Sequence, residues 1–225
     1  MRFPIAASFA IFAATAAWQS QAQEVGAVTL VDVYGYETPP RGMRSPIFAQ
    51  DPIVSNTVLE TVEEGRMDVR FLDNSQLIVG PGSTVTVDRF VYDPGRSAGE
   101  AVVNVGRGVM RFVSGAMASK DYKIATPVAT MGVRGTDFVV GVGESGSTAV
   151  AVLDGAVEVT SAAGQSAVVE AGFTGVTEGD GVDVSPTVGA PALSNLVFGL
   201  VTETPDQDTN EDETGEEGDE GDSPD

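Results

Sequence analysis

Short apolar runs separated by glycine, proline, asparagine and aspartate recur along most of this chain. They stand at Val28–Val33, Val58–Val62, Met67–Phe71, Leu77–Val79, Val85–Val87, Ala101–Val105 and Val109–Val113. They resume at Phe138–Val142, Thr148–Leu153, Ala156–Thr160, Ala167–Glu170, Phe173–Val176 and Val182–Val184. Each has strand length, the breaks carry turn residues, and no 3.6-residue apolar period is sustained, so an all-β domain is predicted. Glycine is abundant and the intervals are short. That favours stacked short hairpins forming a roll or solenoid-like β domain over a long-stranded sandwich. The spacing is too irregular for a fixed solenoid period.

Alternation within the runs predicts which side chains go in. On Arg107–Val113, Gly108, Met110 and Phe112 share the side expected to face the core, and Arg107, Val109 and Arg111 share the other. Phe112, Phe138, Val140, Val150 and Val152 are expected to carry much of the stability. The proline-bearing segment Tyr34–Ser55 is expected to be a surface excursion, because proline removes ladder donors. Leu193, Leu196, Val197 and Leu200, following Ala190-Pro191, suit one short terminal helix within 189–201. From Thr202 large apolar residues disappear, and residues 202–225 are expected to be a disordered acidic tail.

The densest chemistry lies between Ile124 and Val159. Thr126 precedes Pro127 and is pushed towards an extended conformation. Gly132 and Gly135 bracket Val133-Arg134, and each can take a positive φ or let another backbone approach closely. Asp154-Gly155, between apolar runs, supplies the residues of a type I′ hairpin. Arg134 between glycines can pair bidentately with a carboxylate or present itself to a partner. A lone arginine in a β-rich core is most often a satisfied lock, so the buried, paired state is the expectation, with Thr136 and Asp137 joining its network.

These residues, in this order, resemble the FecR domain family, named for a regulator of ferric-citrate uptake. The similarity is carried by Thr126-Pro127, Val133-Arg134-Gly135-Thr136, Phe138 and Asp154-Gly155-Ala156-Val157. Upstream, the Val69–Leu77 turn and the strand Gly106–Phe112 are similar to the family's usual lead into Thr-Pro. The resemblance covers roughly residues 58 to 160. It implies that Thr126, Pro127, Arg134, Gly135, Thr136, Asp137, Phe138 and Gly155 act as a structural lock or as a partner contact. It also implies an extracytoplasmic domain that senses a transporter's state and relays it through a membrane helix to a sigma-factor regulator.

Composition narrows the chemistry. The chain has 225 residues, no cysteine and no histidine. That excludes a disulfide framework, thiol or histidine catalysis and ordinary zinc sites. No motif places a pair of carboxylates for hydrolysis, so a non-enzyme without cofactors is expected. The net charge is −21, of which the 12 acidic residues of Glu203–Asp225 contribute the larger share, leaving about −9 elsewhere. Neither part suits nucleic acid or anionic lipid. Asp206, Asp208, Asn210 and Asp212, with Glu217 beyond, have the two-residue spacing of calcium ligands. Glu211 stands where the loop glycine belongs, so a solvated tail is favoured over a calcium site.

Residues 1–22 have the form of a secretory signal: Arg2, an apolar stretch from Phe3 to Ala17, and small residues ending at Ala22. The stretch is short of the ~20 apolar residues needed to span a bilayer. The expected organisation is a cleaved signal at 1–22, N-terminal strands and loop at 23–57, and a FecR-like β domain at 58–188, ahead of the helix and tail. The expected product is periplasmic or secreted, with no membrane span in its mature chain. It would be a protein-interaction or sensory module with a protein partner in the envelope, lacking the transmembrane anti-sigma part. The alternative is a surface scaffold or glycan-binding module whose tail buffers calcium.

Overall fold

The computed structural model describes residues 23–178 and 180–187. The signal-like segment 1–22, the helix expected within 189–201, and the acidic tail with its calcium candidates Asp206, Asp208, Asn210, Asp212 and Glu217 lie outside the described residues.

The first strands are β1 (Glu24–Asp32), β2 (Gly35–Thr38), β3 (Ser45–Ile47), β4 (Pro52–Val54), β5 (Thr57–Thr61), β6 (Arg66–Phe71) and β7 (Gln76–Val79). Two longer ones follow, β8 (Thr84–Asp93) and β9 (Ala98–Val113), then a single 3-10 turn at Ser119–Asp121. The chain continues as β10 (Tyr122–Ala125), β11 (Ala129–Val142), β12 (Thr148–Ser161), β13 (Ser166–Glu170), β14 (Phe173–Thr177) and β15 (Asp183–Pro186). All fifteen join one mixed sheet, as the all-β expectation requires. β9 and β10 pair in parallel, whereas β8–β9 and β10–β11 are antiparallel.

The long strands change partners along their length. The first part of β9 lies between β8 and β10, and its last part between β7 and β11. The first half of β11 pairs with β10 and the second half with β9, while β12 runs beside it throughout. β12 in turn pairs first with β14 and then with β13.

Glycines make these bends. Gly108, Gly135 and Gly155 hold φ of 85°, 65° and 75° inside β9, β11 and β12, a region closed to most side chains. A Cβ on Gly155 would lie 2.1 Å from the Gly135 carbonyl oxygen, so the two kinks nest together. This corrects the hairpin expected at Asp154-Gly155. The two residues sit inside one continuous strand, and the reversal falls at Gly143–Ser147, where Gly143 N donates to Ser147 O at 2.9 Å. The apolar runs on either side of Gly135, and those around Gly106-Arg107-Gly108, are likewise single bent strands rather than pairs.

One buried cluster unites the sheet's inner face. Met110, Phe112, Phe138, Val140, Val150 and Val152 are all at most 1% exposed, as the alternation anticipates. Burial of each such side chain contributes roughly 1.5–3 kcal/mol. The outer face differs from expectation at one place. Val109 and Val139, which alternate outward, are also buried, and form a second small cluster with Ile78 against Leu153.

The segment Tyr34–Ser55 is more than a surface excursion. It contains β2, β3 and β4, and buries Ile47 and Ile53 in the core. Its prolines are tolerated because β3 and β4 each pair on one side only. Pro186 occupies the edge strand β15 in the same way. Proline on these edges blocks further strand addition.

Candidate functional site

The FecR-like residues gather at the bend of β11. Thr136 is buried and stitches the bend on both sides. Its hydroxyl donates to Ala156 O at 2.8 Å and accepts from Arg134 N at 3.2 Å. Its backbone exchanges bonds with Ser114, Thr136 N donating to Ser114 Oγ at 2.9 Å and Ser114 N to Thr136 O at 3.0 Å. With Gly135 in the left-handed region the chain turns without leaving the sheet. Phe138 then enters the core, 6.0 Å from the Phe112 ring.

Arg134 is not the buried lock expected of it. Its side chain is 57% exposed and meets Glu158, itself 44% exposed, through one Nη2–Oε2 contact of 2.8 Å. The cause is register. Arg134 sits on the outward set of β11 with Thr130 and Gly132, while Ala129, Met131 and Val133 point in. Gly132, opposite Lys123 and Glu158, has open space where a Cβ would go, so no close approach demands a glycine there.

The locking role falls to Arg111 and Asp137. Arg111 Nε donates to Asp137 Oδ1 at 2.8 Å and Nη2 to Oδ2 at 2.7 Å. Their side chains are 18% and 21% exposed. The hydrogen bond to Asp137, ahead of opposing desolvation, raises the guanidinium pKa further above its ordinary value. Such a two-toothed pair has the strongest geometry an arginine offers.

A second lock, missed in the sequence, is Asp73. Fully buried in the β6–β7 turn, its Oδ1 accepts from Ser75 N at 3.0 Å and Ser75 Oγ at 2.6 Å. Its Oδ2 accepts the Tyr122 hydroxyl, and the same hydroxyl accepts Gly115 N at 2.9 Å and Met117 N at 3.1 Å. Burial first, and the bond to Asp73 second, push the Tyr122 phenol well above its usual range. The hub therefore ties the β6–β7 turn to the loop between β9 and β10. Aspartate two residues before serine is a turn signal that the sequence carries, but nothing in it pairs that turn with Tyr122.

Thr126 and Pro127 form the turn between β10 and β11. Thr126 Oγ1 accepts from Ala129 N at 3.1 Å and from Thr148 Oγ1 at 2.8 Å, so the threonine fastens its own turn to the start of β12. Gly155 stays at the bend, beneath Gly135. The structure thus brings Arg134, Gly135, Thr136, Asp137, Phe138 and Gly155 to one corner, while Thr126 and Pro127 stand a strand-half away. Among the described residues no group of three or more metal-ligating side chains stands together. No helix among them is long and apolar enough to cross a membrane.

Residues 57–158 match the family model described as FecR protein. Two crystal structures of a proposed anti-sigma factor from Parabacteroides distasonis are similar to the chain at 16% identity and a TM-score of 0.46. The similarity covers 57% of this chain and 59% of theirs, so the chain spans about three fifths of the length of these relatives. No curated protein matches it.

Proposed function

With a FecR domain at residues 57–158 as premise, we propose that this chain is an exported, non-enzymatic protein-interaction module of envelope signalling. The face around Arg134 meets its protein partner. The carrying observation is the division of labour at the bend. Asp137 and Thr136 hold the fold, while Arg134 stands exposed on an exposed glutamate. Exposed ion pairs of this kind contribute little to stability, about 0–1 kcal/mol. An arginine is also a frequent anchor of protein interfaces. Gly132, two positions before it on the same outward set, faces open space, so this face is unobstructed.

Export rests on the signal-like residues 1–22, and the absence of cysteine and histidine supports a non-catalytic role. The strands bent at Gly108, Gly135 and Gly155, packed on one inner cluster, support a roll-like arrangement of the open sheet. In this role the module needs no cofactor.

Crosslinking in intact cells tests the proposal. It predicts that the chain is recovered outside the cytoplasm, joined to one specific envelope protein. Recovery in the cytoplasm would refute export. Co-sedimentation with cell-wall or surface material, with no protein crosslink, would instead favour a scaffold.

A further inference from the structure

Beside the Thr126-Pro127 turn, the outer face of the sheet carries a hollow of about 280 Å³. Its walls include Thr84, Thr86, Asn104, Ala125, Thr126 and Pro127. The register explains the space. Thr86, Asn104 and Ala125 stand side by side across β8, β9 and β10, and Thr130 follows on β11. Ala125 offers only a methyl group between longer neighbours, and Gly106 offers nothing.

The polar groups of this hollow are not all consumed by the fold. Thr126 is engaged by its own turn, and Thr84 Oγ1 accepts a long 3.4 Å bond from Arg107 Nε. Asn104 and Thr86 are half-buried, and among the described residues neither side chain has a hydrogen-bond partner. An unpaired amide presents an acceptor and two donors in one plane, and a hydroxyl presents both roles. Pro127 and Ala125 supply apolar surface beside them. No charged side chain lines the hollow.

We propose that this hollow binds one unit of a neutral saccharide. The Asn104 amide spans two adjacent ring hydroxyls, the Thr86 hydroxyl takes a third, and the C–H face of the ring rests on Pro127. The chemistry selects a polyhydroxylated, uncharged ligand. The lining carries no charge of its own, the cation that touches it being Arg107 at Thr84 Oγ1, and polyanions are repelled by a chain of net charge −21. A second hollow, lined by Val128, Ser145, Ser147, Thr177 and Glu178, differs in carrying a carboxylate.

Calorimetric titration of the exported chain with neutral gluco- and N-acetylglucosamine oligosaccharides, and with oligogalacturonate as charged probe, tests the site. A neutral saccharide is expected to bind with a Kd on the order of millimolar or tighter. Asn104→Ala is expected to weaken it about tenfold and Thr86→Val by about threefold, both with parental melting. Ser145→Ala, in the other hollow, should bind as the parent does. The proposal is overturned if none of the neutral saccharides binds at that concentration, or if only the charged probe binds. Binding that ignores both Asn104→Ala and Thr86→Val overturns it equally. Loss of an envelope protein partner in crosslinking would leave these results unchanged, so the two ideas fail separately.

Discussion

Arg111 on β9 and Asp137 on β11 clasp each other through two parallel hydrogen bonds of 2.8 and 2.7 Å. They lie diagonally across the ladder, Asp137 opposite Val113 and Arg111 opposite Val139. The clasp closes β9 onto β11 immediately past the Gly135 bend, where Thr136 has interrupted the regular register. The bend is therefore pinned from both sides, by Thr136 to β12 and by Asp137 to β9.

Asp137→Ala is expected to cost about 2–3 kcal/mol, since it strands a mostly buried guanidinium without its fork. The double variant with Arg111→Ala should cost less than the sum of the two single changes. Denaturant unfolding of the four proteins measures this coupling, and strict additivity would show that the clasp is idle.

The Asp73 hub should be costlier to open. Asp73→Ala leaves the Ser75 hydroxyl and the Tyr122 hydroxyl without their acceptor inside the core, an expected loss of about 3 kcal/mol or more. Tyr122→Phe removes the acceptor of Gly115 N and Met117 N and is expected to cost about 2 kcal/mol. Unfolding midpoints unchanged within error would contradict the hub.

Alkali should find the same tyrosine. The folded protein holds the Tyr122 proton more tightly than the ordinary value of 10.0 allows. The unfolded chain therefore gives up this proton first as pH rises. The stabilisation is complete below pH 10.0 and is lost as pH climbs from there towards the folded value. Stability measured from about pH 8 to about pH 12 should fall, and in Tyr122→Phe the fall should be shallower. Parallel curves for the two proteins would remove Tyr122 as the cause.

Gly155 and Gly164 separate packing from backbone strain. Both have positive φ, 75° and 84°, but only Gly155 would drive a Cβ into backbone. Gly164→Ala is expected to cost roughly 1–2 kcal/mol for conformation alone. Gly155→Ala must also part Gly135 from its neighbour and should cost at least roughly 3 kcal/mol. Equal melting of the two variants would mean that the nested kinks are not tight.

Much of this fold is legible in the chain, because alternation is a local signal. Phe112, Phe138 and Val150 declare their faces within a few residues. The breaks in the pattern are harder to read. A glycine between two apolar runs marks a reversal or a bend equally well, and at Gly135 and Gly155 the outcome is set by the adjacent strand. The partner of Arg111 is similarly hidden, since Asp137 lies 26 positions away. Asp73 and Tyr122 are 49 apart, and no local rule joins them. Arg134 misled for the opposite reason. A lone arginine in a β-rich core reads as a satisfied lock, but the outward register of Arg134 leaves it exposed, Gly132 faces open space and only Gly135 is needed for the bend.

The most direct test places a photo-crosslinking residue at Gly132, where a side chain has room, and compares Arg134→Ala with Arg111→Ala. The probe is expected to capture one envelope protein. Arg134→Ala should abolish that capture while costing no more than about 1 kcal/mol, and Arg111→Ala should cost about 2–3 kcal/mol. If Arg134→Ala instead destabilises the fold as much as Arg111→Ala does, or leaves capture at Gly132 intact, the arginine is not the contact and the division of labour at this bend is contradicted.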